Sequence, residues 1–365
     1  MKKYWRKPKY KRQMQRRARR SLNAQTRHKE FLRIKGRREQ GVRKQALTIR
    51  NEFAHTPKAL FPITAPERLQ FIRNPEAVCK FIANLQKCFD DEKPVYVELR
   101  KVKEIDDDAI IVLLSVMVRF KSQRIRFNGD HPRDKGARAI IRGSGFFDHL
   151  YKGFSEEESY SLSGKSSIVT HAMRVVDAAL GAKIIESASE VVWGEKKRCT
   201  GVQRTLIELM MNTNNHASLE VVGEKHWWLS VKHIKEQNRV AFSFVDYGVG
   251  IFTSLQNKTA SSKFFGALQA IYQRLFGTNN AKALEMIFRG ELHRTATGKT
   301  YRGKGLPGIY QAWEDKKISN LALITNNVFF DSRTDTYKIL NTPFEGTFVY
   351  WELCLENTNL PYVAP

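Results

Sequence analysis

The sequence predicts an α/β fold, and three patterns lead to that prediction. Between residues 75 and 142, segments with helical spacing alternate with short strand-like segments, as they do where helices connect neighbouring strands. Val240, Phe242 and Phe244 recur at the period of a half-buried strand. Residues 206–217 are rich in apolar side chains and contain neither Gly nor Pro, which indicates a helix with one buried face. A chain of 365 residues predicts about two such domains.

The positive charge of the chain is concentrated in an N-terminal basic arm, predicted over residues 1–55. The chain carries 62 Lys and Arg against 37 Asp and Glu, and residues 1–50 hold 20 of these basic residues against 2 acidic ones. Such a density attracts nucleic-acid backbones by counterion release, and the interleaved aromatic residues can stack on unpaired bases. An acidic protein surface and a purely solubilising tail are the other interpretations. The arm lacks a broad apolar stripe, so no membrane docking is predicted.

The composition predicts a cytoplasmic protein. The longest apolar run, residues 109–118, is about half the length of a bilayer span. No apolar segment follows the basic N-terminus, so a signal peptide is not expected. The cysteines form no C-x-x-C pair, and reduced thiols are expected in place of a zinc site or a disulfide framework; they are Cys79, Cys88, Cys199 and Cys354.

Residues 56–150 are predicted to form a small α/β domain, and residues 70–150 resemble a STAS domain, the fold of anti-sigma-factor antagonists. The sequence predicts helices over residues 75–85, 105–118 and 135–142 and strands over 95–99 and 124–128. In the STAS family, a serine in an I-D-S-S turn receives a phosphate from a partner kinase. The matching turn here reads Ile105-Asp-Asp-Asp-Ala109 and has no hydroxyl. We expect these aspartates to cap the second helix, and the alternative is that they imitate a permanently phosphorylated turn.

A serine-rich, acidic segment, residues 151–167, is predicted to be a linker or an exposed loop. Residues 168–365 are predicted as the second domain. It is expected to begin with a helix over residues 169–188 that contains His171, a lone histidine to which we assign no catalytic role. Strands are predicted near residues 227–233, 239–245, 320–326 and 346–354.

The helix predicted over residues 206–217 carries a candidate site. Glu208, Asn212 and His216 are spaced four residues apart, so they share one helix face. A carboxylate can take a proton from water, and an amide oxygen is a hard ligand that suits Mg²⁺. The helix alone is equally compatible with an ordinary polar face.

Two glycine-rich segments follow this helix in a recognisable order. The chain reads E-x-x-x-N from Glu208, then Asp246-Tyr-Gly-Val-Gly-Ile251, then Gly303-Lys-Gly-Leu-Pro-Gly308. In this order the three segments resemble the sequence boxes of the GHKL ATPase superfamily of gyrase, Hsp90, histidine kinases and MutL. The final Gly346-Thr347 strand is similar to the strand that closes the nucleotide site in that superfamily. The resemblance covers about residues 166–365 and implies a two-layer α/β sandwich of the Bergerat type with a mixed sheet.

The resemblance implies a Mg²⁺–ATP site and a role for each box. Glu208 would act on the attacking water, and Asn212 would bind the Mg²⁺ that bridges the phosphates. Asp246 would accept a hydrogen bond from the adenine amino group, and Thr347 would contact the adenine region. Glycines would let the backbone approach the nucleotide, and the third box would open a helix towards the phosphates. The further ATP-binding residues are Gly248, Gly250, Gly303, Lys304, Gly305, Leu306 and Gly308.

Residues 252–302 lie where the family places a lid over bound ATP. Residues 264–276 and 281–288 have helical spacing, so we expect a helical lid that closes in response to the γ-phosphate. Several branches of the family supply a lysine to the γ-phosphate from a following domain. This chain ends soon after residue 353, so slow or partner-dependent hydrolysis is expected.

The sequence thus predicts an ATP-operated conformational switch in an intracellular regulatory or defence complex, with a protein partner or nucleic acid bound by residues 1–50. The first alternative is a protein serine/threonine kinase of the anti-sigma-factor type, which His216-Ala217 and the STAS-like segment favour. The second is a scaffold that binds ATP without hydrolysing it. The resemblance also implies an ATP-dependent homodimer.

Overall fold

The computed structural model describes residues 60–152, 167–173, 178–199, 202–203, 205–210, 226–248, 250–253, 279–291 and 305–357. The basic arm lies outside these ranges. All the described residues belong to one compact unit that runs from Leu60 to Pro365. The fold is α/β and contains both parallel and antiparallel sheets. No helix within the described ranges has the length and apolar character needed to cross a membrane.

The first part of this unit alternates strands and helices, as the sequence predicts. Its three main strands form a parallel sheet of order β1-β3-β5, and β2 pairs with β4 in a separate parallel ribbon. Helices make the crossovers that parallel strands require. The elements are β1 (Phe61–Thr64), β2 (Arg68–Leu69), α1 (Pro75–Asp90), β3 (Val95–Glu98), β4 (Glu104–Ile105), α2 (Asp107–Ser122), β5 (Phe127–Gly129), α3 (Lys135–Gly143) and α4 (Phe146–Lys152).

The second part contains a five-stranded sheet of order β6-β7-β8-β10-β9, in which every neighbouring pair is antiparallel. A 3₁₀ turn joins the hairpin of β7 and β8, and residues 205–210 are helical. The elements are β6 (Ser167–Met173), α5 (Ala178–Trp193), β7 (His226–Ile234), β8 (Arg239–Asp246), α6 (Asn280–Phe288), α7 (Gly305–Glu314), β9 (Ser319–Asp331) and β10 (Thr336–Leu353).

The four predicted strands of this sheet are confirmed, but two other predictions are wrong. Among the described strands, this sheet is antiparallel throughout instead of mixed. The parallel pairs belong to the two smaller sheets. Residues 167–173, predicted in part as helix, form an edge strand that pairs with β7 along its whole length, and α5 begins only at Ala178. Ile168, Val169 and Thr170 are β-branched, which suits this pairing. His171 therefore lies on a strand.

Helices α1 and α2 lie between the two main sheets and pack against both. One hydrophobic cluster contains Val97 of the parallel sheet, Ile111 of α2, and Val245 and Phe348 of the antiparallel sheet. The ring of Phe71 contacts that of Phe348, with 4.8 Å between their centroids. The segments predicted as separate domains, residues 56–150 and 168–365, thus share a hydrophobic core.

The opposite face of the antiparallel sheet holds a second cluster. Phe242, Phe244 and Trp351 point to this face, where α5, α6 and α7 cover the strands. The Phe242 and Trp351 rings are stacked with 5.1 Å between their centroids. Alternation along β8 and residues 346–353 of β10 therefore sends successive side chains to two different cores, and every one of these residues is buried or half-buried.

The aspartates at the start of α2 attach the helix to its neighbours. Asp106 occupies the N-cap position, as expected, but its side chain makes no capping hydrogen bond. It accepts instead from Gln70 Nε2 at 3.0 Å. Asp107 forms an ion pair with Lys232 of β7. The prediction that these carboxylates cap their own helix is therefore wrong for Asp106, because the neighbouring segment offers a donor that competes for it.

Asp108 is buried at the start of α2. Its carboxylate accepts from the backbone N–H groups of Phe71 and Ile72, each at 3.2 Å, and from that of Ala109. Burial, reinforced by the charge of Asp106, raises the pKa of Asp108 from 3.8 to about 7, although the three N–H groups oppose this shift. The folded protein therefore holds a proton on Asp108 at pH values where the unfolded chain has released it.

Asp108 should make stability depend on pH. Between the unfolded pKa near 3.8 and the folded pKa near 7, the folded state binds one more proton than the unfolded state. The stability that this extra proton gives is fully present below the unfolded pKa. It falls by about 1.4 kcal/mol per pH unit between the two pKa values and is lost above the folded pKa. Asp108→Asn cannot ionise and serves as the reference.

We expect the free energy of unfolding of the wild type, relative to Asp108→Asn, to fall as the pH rises from 5 to 7 and to level off above 7. Urea unfolding at half-unit pH intervals measures this difference. Parallel curves for the two proteins would contradict the prediction.

Candidate functional site

A row of polar residues crosses three neighbouring strands at one end of the antiparallel sheet. Asp246 of β8 is the direct cross-strand partner of Thr347 of β10, and Thr347 is the partner of Thr325 of β9. The backbone N–H of Thr347 donates to Asp246 Oδ1 at 3.2 Å. Thr325 Oγ1 lies 3.5 Å from Thr347 Oγ1 and donates to the Gly346 carbonyl at 3.1 Å. Pairing across the sheet thus brings together residues that are 22 and 101 positions apart in the chain.

This polar row faces the side of the sheet that carries α5, α6 and α7. Phe244, Leu323 and Val349 each lie two positions from a member of the row and belong to the cluster on that side. Strand alternation gives the row the same orientation. Thr325 and Thr347 are buried, whereas Asp246 is half-buried. The row therefore presents one partly accessible carboxylate at the border of an apolar face.

Gly346 explains how β10 can approach β8 at this point. Its φ is +120°, a conformation that L side chains rarely adopt, and an added Cβ would lie 2.1 Å from the Asp246 carbonyl oxygen. The similarity of Gly346-Thr347 to a nucleotide-closing strand thus coincides with a close backbone approach beside Asp246.

The loop after Asp246 contains the two glycines of the second box, and they differ in their surroundings. Gly250 has a φ of +75°, and a Cβ there would meet the Asn326 side chain at 2.5 Å. Packing on β9 therefore accounts for Gly250 without a ligand. A Cβ at Gly248 would meet only Asp246 Oδ1 within 4 Å, at 3.5 Å, among the described atoms. The space in front of Gly248 is more open.

Two residues of β9, which the sequence analysis missed, hold the far end of this loop. Thr325 Oγ1 accepts from the Ile251 N–H at 3.1 Å, and Asn326 Oδ1 accepts from the Phe252 N–H at 3.0 Å. Asn326 Nδ2 donates to Thr253 Oγ1 at 2.9 Å. Adjacent asparagines at 326 and 327 within an apolar strand were the available signal.

Tyr247, also missed, holds the near end of the loop from the other face of the sheet. Its hydroxyl donates to the Val112 carbonyl of α2 at 3.2 Å, and Ser115 Oγ lies 3.2 Å from the same hydroxyl. Burial raises the pKa of Tyr247, more than Ser115 and Arg119 lower it, so the hydroxyl remains a donor. The residue between Asp246 and Gly248 is therefore bonded to α2 in the first part of the unit.

The first box is described only in part. Glu208 is half-buried within the helical residues 205–210, where Leu206 and Leu209 belong to the same cluster as Phe244. Asn212 and His216 lie outside the described residues. The structure thus packs the Glu208 helix against the same face as the polar row, while the spacing of Glu208 and Asn212 stays a prediction.

The third box begins α7. Gly305, Leu306 and Gly308 lie in its first turn, and Ile309 and Tyr310 are buried in the cluster on the site's face of the sheet. Gly303 and Lys304 lie outside the described residues. An added Cβ at Gly308 would meet no described atom within 4 Å, so packing there does not account for this helical glycine.

The described part of the expected lid is a packed helix. Helix α6 confirms the helix predicted over residues 281–288, whereas residues 264–276 lie outside the described ranges. The Phe288 ring contacts Tyr310 of α7 at 5.0 Å and Phe330 of β9 at 5.1 Å between centroids. Asn280 Nδ2 also donates to Asn327 Oδ1 at 2.6 Å. Residues 280–288 of the expected lid are thus held in the core.

Within the described ranges, no three His, Cys, Asp or Glu side chains are grouped as a metal site. Comparisons with protein-family models, curated proteins and solved structures find no match to this chain. Any assignment of function therefore depends on the geometry of the polar row and its surroundings.

Gly346→Ala should be strongly destabilising. The added Cβ would collide with the Asp246 carbonyl oxygen and would impose a strained backbone, and we expect a loss of about 3 kcal/mol or more in the free energy of unfolding. Gly143→Ala is the matched control, because a Cβ there meets nothing within 4 Å. It should change stability by less than about 1 kcal/mol. Equal urea-unfolding midpoints for the two variants would show that β10 need not approach β8 so closely.

Proposed function

We propose that the protein binds Mg²⁺–ATP at the polar row of Asp246, Thr347 and Thr325 and acts as a nucleotide-operated switch that hydrolyses ATP slowly. The observation that carries this proposal is the direct pairing of Asp246 with Thr347, next to Gly248, where an added Cβ would meet only Asp246 Oδ1 among the described atoms. Two of the sequence segments that resemble nucleotide-binding boxes thereby meet at one point, although about 100 residues separate them.

The row suits recognition of an adenine base. Asp246 is oriented by the Thr347 N–H, and its carboxylate can accept from the exocyclic amino group of adenine. Guanine carries an acceptor oxygen at the corresponding position, so a carboxylate would select against it. Ile251 and Leu306 are partly buried and pack against the same apolar cluster, which supplies a nonpolar border for a planar base. Binding pockets commonly combine an apolar lining with a few oriented polar groups in this way.

The beginning of α7 is the proposed phosphate-binding element. The first turn of a helix has N–H groups without partners in the helix, and its dipole favours negative charge. Gly305 and Gly308 would let phosphate oxygens approach that backbone, and the absence of described neighbours around a Cβ at Gly308 supports this role. Gly303 and Lys304 would extend the same contact.

Glu208 is the proposed general base. It would take a proton from the attacking water, and Asn212 would ligate the metal. Bound Mg²⁺ would supply neutralisation of the phosphate charge. The half-buried position of Glu208, on a helix packed against the site's face of the sheet, supports its assignment. The basic arm would connect the switch to nucleic acid or to a protein partner, and ATP-dependent dimerisation is part of the same proposal.

Substitution of the two carboxylates should separate binding from turnover. Asp246→Asn keeps one oxygen for the Thr347 N–H but offers an amide to adenine, and we expect ATP affinity to fall about tenfold or more with weaker discrimination against GTP. Glu208→Gln should keep ATP affinity and lower phosphate release about a hundredfold or more. Isothermal titration calorimetry and a phosphate-release assay measure the two quantities.

Asp335→Asn and Glu190→Gln are the matched controls. Both side chains are exposed, and Asp335 has a φ of +48°, which asparagine also tolerates. Wild-type affinity and turnover are expected for each. Transfer of labelled phosphate from ATP to a protein substrate would favour the kinase alternative, and ATP binding without release would favour the scaffold. A wild-type protein that binds no nucleotide would exclude all three.

Gly308→Ala should weaken ATP binding without loss of stability. Alanine is favoured over glycine inside a helix by up to about 1 kcal/mol, and the Cβ meets no described neighbour. The same Cβ would obstruct a phosphate on the backbone, so we expect ATP affinity to fall about tenfold. Thermal unfolding and calorimetry measure both effects, with Gly143→Ala as the control that gains stability only. Unchanged ATP affinity in Gly308→Ala would exclude the start of α7 from the site.

A further inference from the structure

The segment after β8, residues 247–253, is attached to the protein at two places on opposite faces of the antiparallel sheet. At one end, Tyr247 is bonded to α2 in the layer between the two sheets. At the other end, the N–H groups of Ile251 and Phe252 are bonded to β9. Only three residues separate these attachments, so the segment that borders the proposed nucleotide site is bonded close to both of its ends.

The attachment to α2 is specific. The Tyr247 hydroxyl lies 3.2 Å from both the Val112 carbonyl oxygen and Ser115 Oγ, and Ser115 Oγ itself donates to that carbonyl at 2.6 Å. The tyrosine ring also contacts Phe344, with 5.8 Å between centroids, and the Arg119 guanidinium lies 5.4 Å from the ring centroid. Ser115 is completely buried, so no solvent molecule replaces this contact without movement of α2.

Helix α2 is in turn fixed to the rest of the unit. Asp107 at its start pairs with Lys232 of β7, and Lys121 near its end donates to the Leu150 carbonyl of α4 at 2.6 Å. A displacement of α2 therefore moves Tyr247, because the hydroxyl is bonded to the middle of the helix. Asp246 and Gly248, the immediate neighbours of Tyr247, would follow.

We infer that Tyr247 is a positioning residue that couples ATP binding to the placement of α2, and that the STAS-like layer thereby regulates the nucleotide site. This inference rests on the proposed function of that site. Nucleotide bound at Asp246 favours the conformation in which the Tyr247 hydroxyl is bonded to α2. That bond in turn raises the affinity for nucleotide by the same factor. A partner that shifts α2 would change ATP affinity without contacting ATP.

Two substitutions weaken this attachment without altering the nucleotide-facing residues. Tyr247→Phe keeps the ring and loses the hydroxyl, and Ser115→Ala changes a buried residue of α2 on the face of the sheet opposite the site. One hydrogen bond corresponds to about a fivefold change in an equilibrium constant, so each variant should bind ATP about three- to tenfold more weakly than wild type. The double variant should bind no more weakly than Tyr247→Phe, because without the Tyr247 hydroxyl Ser115 has no hydrogen bond to Tyr247 left to lose.

The controls match each substitution. Ser122 is on the same helix, and its hydroxyl donates to the Arg119 carbonyl three residues earlier. Ser122→Ala therefore removes a comparable hydroxyl that does not contact Tyr247. Tyr350→Phe removes a hydroxyl that bonds to Glu352 in the same sheet. Both should bind ATP as wild type does. Phosphate release at saturating ATP should be unchanged in every variant, since Glu208 is on a different element; a purely structural defect would lower turnover together with affinity.

Calorimetric titration of the full-length chain with Mg²⁺–ATP, well below the melting temperature, separates the outcomes. If wild type binds and both Tyr247→Phe and Ser115→Ala bind with wild-type affinity, the coupling is absent and the proposed site survives. Losses in the two single variants that add in the double variant would also overturn the coupling through this contact. If wild type itself binds no ATP, the proposed function fails, and the inference fails with it.

Discussion

The site and the fold both depend on the close pairing of β8 with β10. This pairing sets Asp246 opposite Thr347, and it is possible because Gly346 has no side chain to collide with the Asp246 carbonyl. The same two strands separate the two hydrophobic cores, since their alternating residues point to opposite faces. A change of register by one residue would exchange these faces and would turn Asp246 away from α7. Architecture and candidate site are therefore set by one register.

The antiparallel sheet performs different tasks on its two faces. One face carries α5, α6, α7 and the Glu208 helix, and the polar row lies at its border. The other face is covered by α1 and α2, which are themselves buried against the parallel sheet. Tyr247 joins these two environments, because it follows a residue of the first face and packs in the second. In the proposed switch, Tyr247 connects the nucleotide site with α2.

Much of the fold could be predicted from the sequence, and so could the members of the polar row that belong to sequence boxes. Strand periodicity predicted β7 and β8 almost to the residue, and glycine spacing singled out Asp246 and Thr347. Thr325, Asn326 and Tyr247 were missed, because their roles come from partners more than 70 residues away. The helix predicted over residues 169–188 was wrong at residues 169–173 for a similar reason, since pairing with β7 makes these residues a strand.

By itself the sequence determined where apolar side chains recur, where glycines free the backbone, and which residues have the chemistry to bind a nucleotide. These are local properties, set by periodicity and by the conformational freedom of glycine. Only the tertiary structure decided that α1 and α2 share a core with strands β7 to β10, that Asp106 and Asp108 bond to the 70–72 segment, and that Tyr247 reaches α2. The reason is that a polar group has several possible hydrogen-bond partners, and burial and long-range pairing determine which of them it takes.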